Sequence, residues 1–261
     1  MKKSKIVPKK SLGQHWLYDQ PSLEAMAEAA DLTSTDDVLE VGPGLGTLTL
    51  VLLNTANSVT AVELDKKLSQ RLNKTLNSPK LEVLNEDILS FDLNKLPEKY
   101  KVIANIPYYL TSKLIRNLSE ADNPPQTAVL LMQKEVAERV AAQPGKMSIL
   151  SVTAQYFWEV SLNIIVGSHL FTPPPKVDSQ IVVMKRRSKP LYGDVTPEEY
   201  FRTVKAGFSN KRKTLMNSLS SDLKLGHSVV GAYLNEAGID PNRRAQTLTL
   251  EEWHQLTLAI T

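Results

Sequence analysis

The sequence predicts an α/β chain: a mostly parallel, doubly wound sheet, followed by a small helical domain. Three observations predict it. Short apolar strands alternate with helical segments up to about residue 141, two later strands follow one another with no helix between them, and the pattern turns purely helical after Pro190. Alternation at this spacing requires crossover connections, and right-handed crossovers place helices on both faces of a parallel sheet.

The elements follow in order. After a basic start, Gln20 to Ala30 places Leu23, Met26, Ala27 and Ala30 on one side of a helix. Asp37 to Val41 reads as a strand that runs into glycines and then into a helix from about Thr47. Ser58 to Glu63 is a strand rich in β-branched residues, and Lys66 to Leu76 a helix. Leu81 to Leu84, Val102 to Ala104 and Ala128 to Met132 supply further strands, with helices near Ser112 to Leu118 and Lys134 to Ala141. Val160 to Val166 and Gln180 to Met184 fit an antiparallel pair at one edge. Pro197 behind a Thr196 cap starts a helix to about Phe208, and Arg212 to Leu219, His227 to Asn235 and Leu250 to Ala259 give three more. The domain boundary falls at 189/190.

With 261 residues the chain can bury a full core, and 42% hydrophobic with 23% charged residues is a folded-protein composition rather than that of a disordered tail. Cysteine is absent, which removes disulfides, a thiol nucleophile and thiolate zinc sites. The four histidines, His15, His169, His227 and His254, are widely separated and have no second ligand at metal spacing, so no metal is expected. The basic start lacks the apolar stretch of a signal peptide, and no run of about 18 apolar residues occurs. A cytoplasmic, non-membrane protein is expected. The net charge of +3 is small, but its placement is not even. Lys2, Lys3, Lys5, Lys9 and Lys10 crowd the start, Lys185, Arg186, Arg187 and Lys189 follow a strand, and Lys211, Arg212 and Lys213 open a helix. Each run is a solvated face or a phosphate contact, and three together favour RNA.

Gly42-Pro43-Gly44-Leu45-Gly46 lies between a strand and a helix, where glycines admit a ligand to the backbone. Residue 47 is threonine where the dinucleotide fingerprint needs a third glycine, and Pro43 fills the turn, so a smaller sulfonium ligand fits better than a dinucleotide. Glu63, 21 residues after Gly42, ends the next strand, where a carboxylate accepts both ribose hydroxyls. Asp87 follows the third strand and can accept an adenine amine, with Ile88 against the ring. The alternatives are a solvated acid at 63 and a turn or cap aspartate at 87. All these positions share the carboxyl edge of the sheet, where open α/β sheets bind ligands.

The fourth strand runs into Asn105-Ile106-Pro107-Tyr108-Tyr109 on the same edge. An adenine exocyclic amine is a weak nucleophile because its lone pair is delocalised into the ring. Two acceptors for its hydrogens help it pyramidalise; Asn105 offers its side-chain oxygen and Ile106 its carbonyl, which Pro107 holds in extended geometry. Tyr108 stacks on the base, and Phe171, in a proline-rich loop, either covers the other face or packs in the core. The alternative is an ordinary turn with a core tyrosine, against which the position just after a central strand argues.

The chain resembles the bacterial small-subunit rRNA adenine dimethyltransferases of the KsgA/RsmA type, related to the Erm resistance methyltransferases. The resemblance covers nearly the whole length. It rests on residues 12–17 (LGQHWL), 40–49 (EVGPGLGTLT), 105–108 (NIPY), 175–179 (PKVDS) and 210–215 (NKRKTL). It implies a seven-stranded Rossmann-like class I methyltransferase sheet with a small all-helical C-terminal domain that recognises RNA. It further implies S-adenosylmethionine as cofactor and 16S rRNA in an immature 30S subunit as substrate, acted on by a monomer. The reaction would dimethylate N6 of two adjacent adenosines. Cofactor contacts carry over to His15, Leu17, Gly42, Glu63, Asp87 and Asn105, with Gly44 beside them in the loop, and base stacking to Tyr108 and Phe171. His15 stands where many members have asparagine, and Glu86 where glycine often precedes the acid. Three rival readings are an NAD-dependent oxidoreductase, which leaves 105–108 without a task, an Erm-type enzyme acting on large-subunit RNA, and a non-enzymatic assembly factor.

Overall fold

A computed structural model of the chain describes residues 8–9, 12–189 and 191–261. Lys2, Lys3, Lys5, Lys10 and Pro190 lie outside the described residues. The chain divides into two compact units, residues 1–138 with 158–186 and residues 139–157 with 187–261. The split differs from the boundary at 189/190: the stretch 139–157 belongs with the helical unit.

The first unit contains β1 (Trp16–Leu17), α1 (Gln20–Ala29), β2 (Asp37–Val41), α2 (Thr47–Thr55), β3 (Ser58–Val62), α3 (Lys66–Thr75), β4 (Leu81–Leu84), β5 (Lys101–Asn105), α4 (Thr111–Glu120) and β6 (Thr127–Gln133). The chain continues through α5 (Lys134–Val140) and α6 (Ile149–Phe157) to β7 (Trp158–Val166), β8 (Phe171–Thr172) and β9 (Ser179–Arg186). Seven strands form one sheet in the order β4-β3-β2-β5-β6-β9-β7, and β1 with β8 forms a separate two-stranded ladder. Strands β4 to β6 pair in parallel; β9 runs antiparallel to both β6 and β7. The chain moves outward from β2 through β3 to β4, then returns to β5 on the other side. That reversal makes the β2/β5 junction the switch point, where a crevice opens beyond the strand ends.

Burial explains why these sequences form strands. β6 is buried along six of its seven residues and β2 along four of five, which suits central strands covered on both faces. Val38, Val59, Ile103, Val129 and Ile181 share one core cluster with Leu23 and Met26 of α1 and Leu48 and Leu52 of α2. Helix starts are fixed by side-chain caps: Asp19 accepts from Ser22 N at 3.1 Å and Asp65 from Lys67 N at 2.9 Å. At Gly46 (φ +87°) a Cβ would come within 2.4 Å of Leu72 Cδ1, so only glycine lets the loop pass under α3.

The helical unit adds α7 (Pro197–Phe208), α8 (Leu215–Leu223), α9 (His227–Glu236) and α10 (Leu250–Ile260). Helices α7 and α10 both begin with reciprocal capping boxes, Thr196 with Glu199 and Thr249 with Glu252. Trp253, Tyr200, Val204, Leu215, Leu219 and Leu234 form its core together with Tyr156 and Val152 of α6.

Three expectations need correction. The helix placed at 212–219 begins at Leu215, because Thr214 caps it and Lys211 to Lys213 form the preceding turn. Lys185 and Arg186 belong to β9 rather than following it. The stretch between β7 and β9 is no simple loop: β8 pairs back with β1, Trp16 opposite Thr172 and Leu17 opposite Phe171.

Candidate active site

The carboxyl ends of β2, β3, β4 and β5 open into one cavity of about 260 Å³, lined by residues of the first unit that include 12–17. It brings together His15, Leu17, Gly42, Gly44, Glu63, Asp87, Ile88 and Asn105 to Tyr108.

Glu63, at the end of β3, is 5% exposed. Its Oε2 accepts from Gly44 N at 3.0 Å and its Oε1 from Asp65 N at 2.8 Å. One N–H on each oxygen leaves one lone pair on each, matching the two hydroxyls of a ribose. Burial pushes its carboxyl above the ordinary range, while the two backbone N–H groups pull it down. Asp87 Oδ1 accepts from Leu89 N at 3.0 Å, the turn geometry weighed as its alternative, yet the side chain still borders the cavity. Ile88 beside it is 5% exposed.

Asn105 ends β5, and its Nδ2 donates to the His15 carbonyl at 3.3 Å. That fixes the carboxamide and leaves its oxygen to accept. Ile106 N donates to Leu131 O at 3.2 Å, whereas no described hydrogen bond ends on the Ile106 carbonyl. Pro107 is extended (φ −57°, ψ 134°) and starts the turn that carries Tyr108. The Tyr108 hydroxyl pairs with Ser179 Oγ at 3.1 Å, and its ring stacks on His15 with centroids 5.8 Å apart and planes at 22°. The His15 Nδ1 lies 2.7 Å from the Pro173 carbonyl. The histidine that replaces the usual asparagine therefore contributes its carbonyl to Asn105 and its ring to Tyr108. Leu17 is buried at 1% exposure, and its carbonyl accepts from Thr47 Oγ1 at 2.8 Å, tying the arm to α2.

Phe171 is the exception among the expected site residues. It is 3% exposed, sits in the core cluster with Leu17, Leu23 and Val166, and does not line the cavity. Pairing of β8 with β1 turns its ring inward, so core packing accounts for it. Among the lining residues for which the sequence suggested no role are Trp16, Glu40, Tyr109 and Lys113. Tyr109 and Lys113 directly follow the Asn105 motif, a proximity that could have flagged them.

Glu40 is 1% exposed and accepts from Thr49 Oγ1 at 2.6 Å. Burial, with Glu63 nearby, pushes its carboxyl up to about 8, so it is neutral at pH 7 and spares Glu63 a buried like charge. A raised folded-state value means the stability from Glu40 is complete below its ordinary 4.5 and is lost as pH rises to about 8. Each pH unit in that window costs about 1.4 kcal/mol. Glu40→Gln keeps an acceptor for Thr49 and has no proton to lose. Thermal melts from pH 5 to 8 should therefore show a falling midpoint in the parent protein and a flatter one in Glu40→Gln; parallel curves would contradict a neutral Glu40.

Residues 7–261 match the ribosomal RNA adenine dimethylase family. The chain belongs to that family. It is thus an rRNA adenine dimethyltransferase, on a fold whose members take their methyl groups from S-adenosylmethionine. A "Ribosomal RNA small subunit methyltransferase A" of Dehalococcoides mccartyi is 41% identical over 97% of this chain and 88% of its own length. Among solved structures, the 23S rRNA methyltransferase ErmE has a TM-score of 0.76 at 32% identity, covering 94% of this chain and 98% of that one. A dimethyladenosine transferase from Plasmodium falciparum reaches 0.78 at 27% identity, covering 94% and 96%. The dehydrogenase reading ends here, since the family is one of methyltransferases.

Proposed function

We propose that the cavity holds S-adenosylmethionine and that the chain dimethylates N6 of two adjacent adenosines in the 3′-terminal hairpin loop of 16S rRNA, within an immature 30S subunit. The observation that carries the reading is the pair of open acceptors, Asn105 Oδ1 and the Ile106 carbonyl, at the switch point beside the glycine loop. Glu63 holds the ribose, Asp87 with Ile88 the adenine, and the residues around His15, Leu17, Gly42 and Gly44 the methionine end. When bound, the cofactor supplies an electrophilic methyl on a sulfonium, which needs no metal to activate it.

Asn105 and Ile106 accept the two amine hydrogens of the target adenine and turn its lone pair outward. Tyr108, fixed by Ser179 and His15, offers a ring face to the base, an interaction typically of about 1–3 kcal/mol. Rate enhancement then comes from alignment of amine and methyl rather than from a titrating base. The alkylated amine is acidic enough to lose its proton afterwards.

The described basic residues divide by availability. Lys9 pairs with Asp65 at 2.7 Å, Lys185 with Asp31 at 3.0 Å, and Arg186 donates to the Ser119 carbonyl and covers Trp158. Lys211, Arg212 and Lys213 are exposed on their turn. They are the stronger candidates for phosphate contacts, which assigns RNA recognition to the helical unit and makes binding salt-dependent. No helix of the described residues is long and apolar enough to cross a membrane. A monomer working in the cytoplasm, where ribosomes are assembled, completes the reading.

Identity of 41% to a small-subunit enzyme supports 16S rRNA, while 32% to ErmE favours large-subunit RNA as the second reading. Both ribosomal subunits from cells lacking the modification, incubated with labelled methyl donor, decide between them. Dimethylation of two neighbouring adenosines in small-subunit RNA is expected; label confined to the large subunit overturns the assignment.

A further inference from the structure

Among the described residues, six buried side-chain polar atoms have no hydrogen-bond partner, and only one, Trp16 Nε1, belongs to a residue lining the cavity. An indole N–H can only donate, so burial without an acceptor costs stability unless a ligand supplies one. The indole lies along the glycine loop: Cδ1 and Nε1 come within 3.3 and 3.4 Å of where a Cβ on Gly44 would stand. Gly44, at φ +58°, leaves that space to the ring.

Four nearby carbonyls are already engaged. The His15 carbonyl takes Asn105, the Leu17 carbonyl takes Thr47, the Val62 carbonyl takes Gly42 N and the Pro43 carbonyl takes Gly46 N. The three glycine donors of the loop are engaged too, since Gly42, Gly44 and Gly46 all spend their N–H groups inside the protein, while no described hydrogen bond starts from Leu45 N. The glycines therefore offer a ligand little donor capacity, and Trp16 Nε1 is a free side-chain donor beside them.

The ligand proposed for this cavity has polar groups on its ribose, its adenine and its methionine end. Its ribose hydroxyls bring protons to Glu63, and its adenine amine brings protons to Asp87. At the methionine end, assigned to the side of Gly42 and Gly44, the ammonium donates and the carboxylate only accepts, so the carboxylate is the group there that suits a donor-only partner. We infer that Trp16 is a further cofactor-binding residue, its Nε1–H donating to the carboxylate of the methionine part of S-adenosylmethionine. A phenylalanine here would fill the same space against Gly44 and give no such bond.

This inference rests on the cofactor reading, and the test separates the two. Protein labelled with ¹⁵N at tryptophan gives three indole N–H signals, one for each tryptophan. Trp158 already donates to Ser119 Oγ at 2.8 Å and serves as an internal reference. The probes are S-adenosylhomocysteine and 5′-methylthioadenosine, which keeps the adenosine and thioether but lacks the amino acid. The Trp16 signal should move downfield with S-adenosylhomocysteine and stay in place with methylthioadenosine. Trp16→Phe should weaken S-adenosylhomocysteine about tenfold by calorimetry, with methylthioadenosine unchanged. A Trp16 signal indifferent to S-adenosylhomocysteine, or equal losses for both ligands, overturns the inference. Parent protein that binds neither ligand overturns the cofactor reading and the inference with it. Should Trp16→Phe fail to fold, the signals of the parent protein decide alone.

Discussion

Asn105→Ala should lower the methyl-transfer rate constant by about a thousandfold while leaving RNA affinity within about twofold. Removing one preorganised polar partner from a reacting centre typically costs about 10²–10³ in rate, and here the residue has two tasks. In the proposed base site its oxygen is the acceptor that pyramidalises the amine, and its Nδ2 holds the His15 carbonyl at 3.3 Å, so the same deletion loosens the segment 12–17 that lines the cavity. RNA affinity should be insensitive because, on the proposed reading, it comes from phosphate contacts spread over basic residues, with stacking on Tyr108 added to them. Single-turnover rates with saturating RNA, paired with filter binding at fixed salt, separate the two effects. Wild-type turnover by Asn105→Ala would remove the base site as described; a matching loss of RNA affinity would mean the residue acts through folding of the segment.

How much was legible beforehand depended on the range of the signal. Strands β2, β3 and β4 and helix α7 follow from local patterns, short apolar or β-branched runs and a Thr-Pro cap, and they lie at the expected residues. Strand ends then bring Glu63, Asp87 and Asn105 to one edge without further information. Helix α6 has buried Ser151, Val152, Thr153, Ala154 and Tyr156 on several sides, so its apolar periodicity is weak and it went unread. Strands β1 and β8 are two residues each, and their pairing joins positions more than 150 apart in the chain. No local pattern encodes that contact, and it is what sends Phe171 into the core. Trp16 was invisible for a different reason. Its significance lies in an unpaired N–H against Gly44, which is a property of coordinates and not of residue type.

Glu63→Gln should raise the dissociation constant for S-adenosylhomocysteine about a hundredfold at pH 8. The carboxylate is surrounded by donors: Gly44 N on one oxygen, Asp65 N on the other, and in the proposed complex one ribose hydroxyl on each. Glutamine converts one oxygen into a donor, which opposes one of the backbone N–H groups and abandons one hydroxyl. Two charge-assisted contacts weakened together, at about 1.5 kcal/mol each, come to roughly a hundredfold. The pH dependence has a definite sign. Ligand binding uses the ionised carboxylate, and burial has raised this group above its ordinary 4.5, so affinity should fall on acidification sooner than for an exposed glutamate. Folding stability through the same group moves the other way, because a raised folded-state value makes protonation favour the native chain. Weak binding near pH 5 therefore cannot be assigned to unfolding by Glu63, and a melt recorded in the same buffer verifies it. Titrations from pH 5 to 8 should slope for the parent protein and lie flat for Glu63→Gln. A variant that binds as tightly as the parent at pH 8 would leave the ribose without its holder, and the cavity would need another ligand orientation.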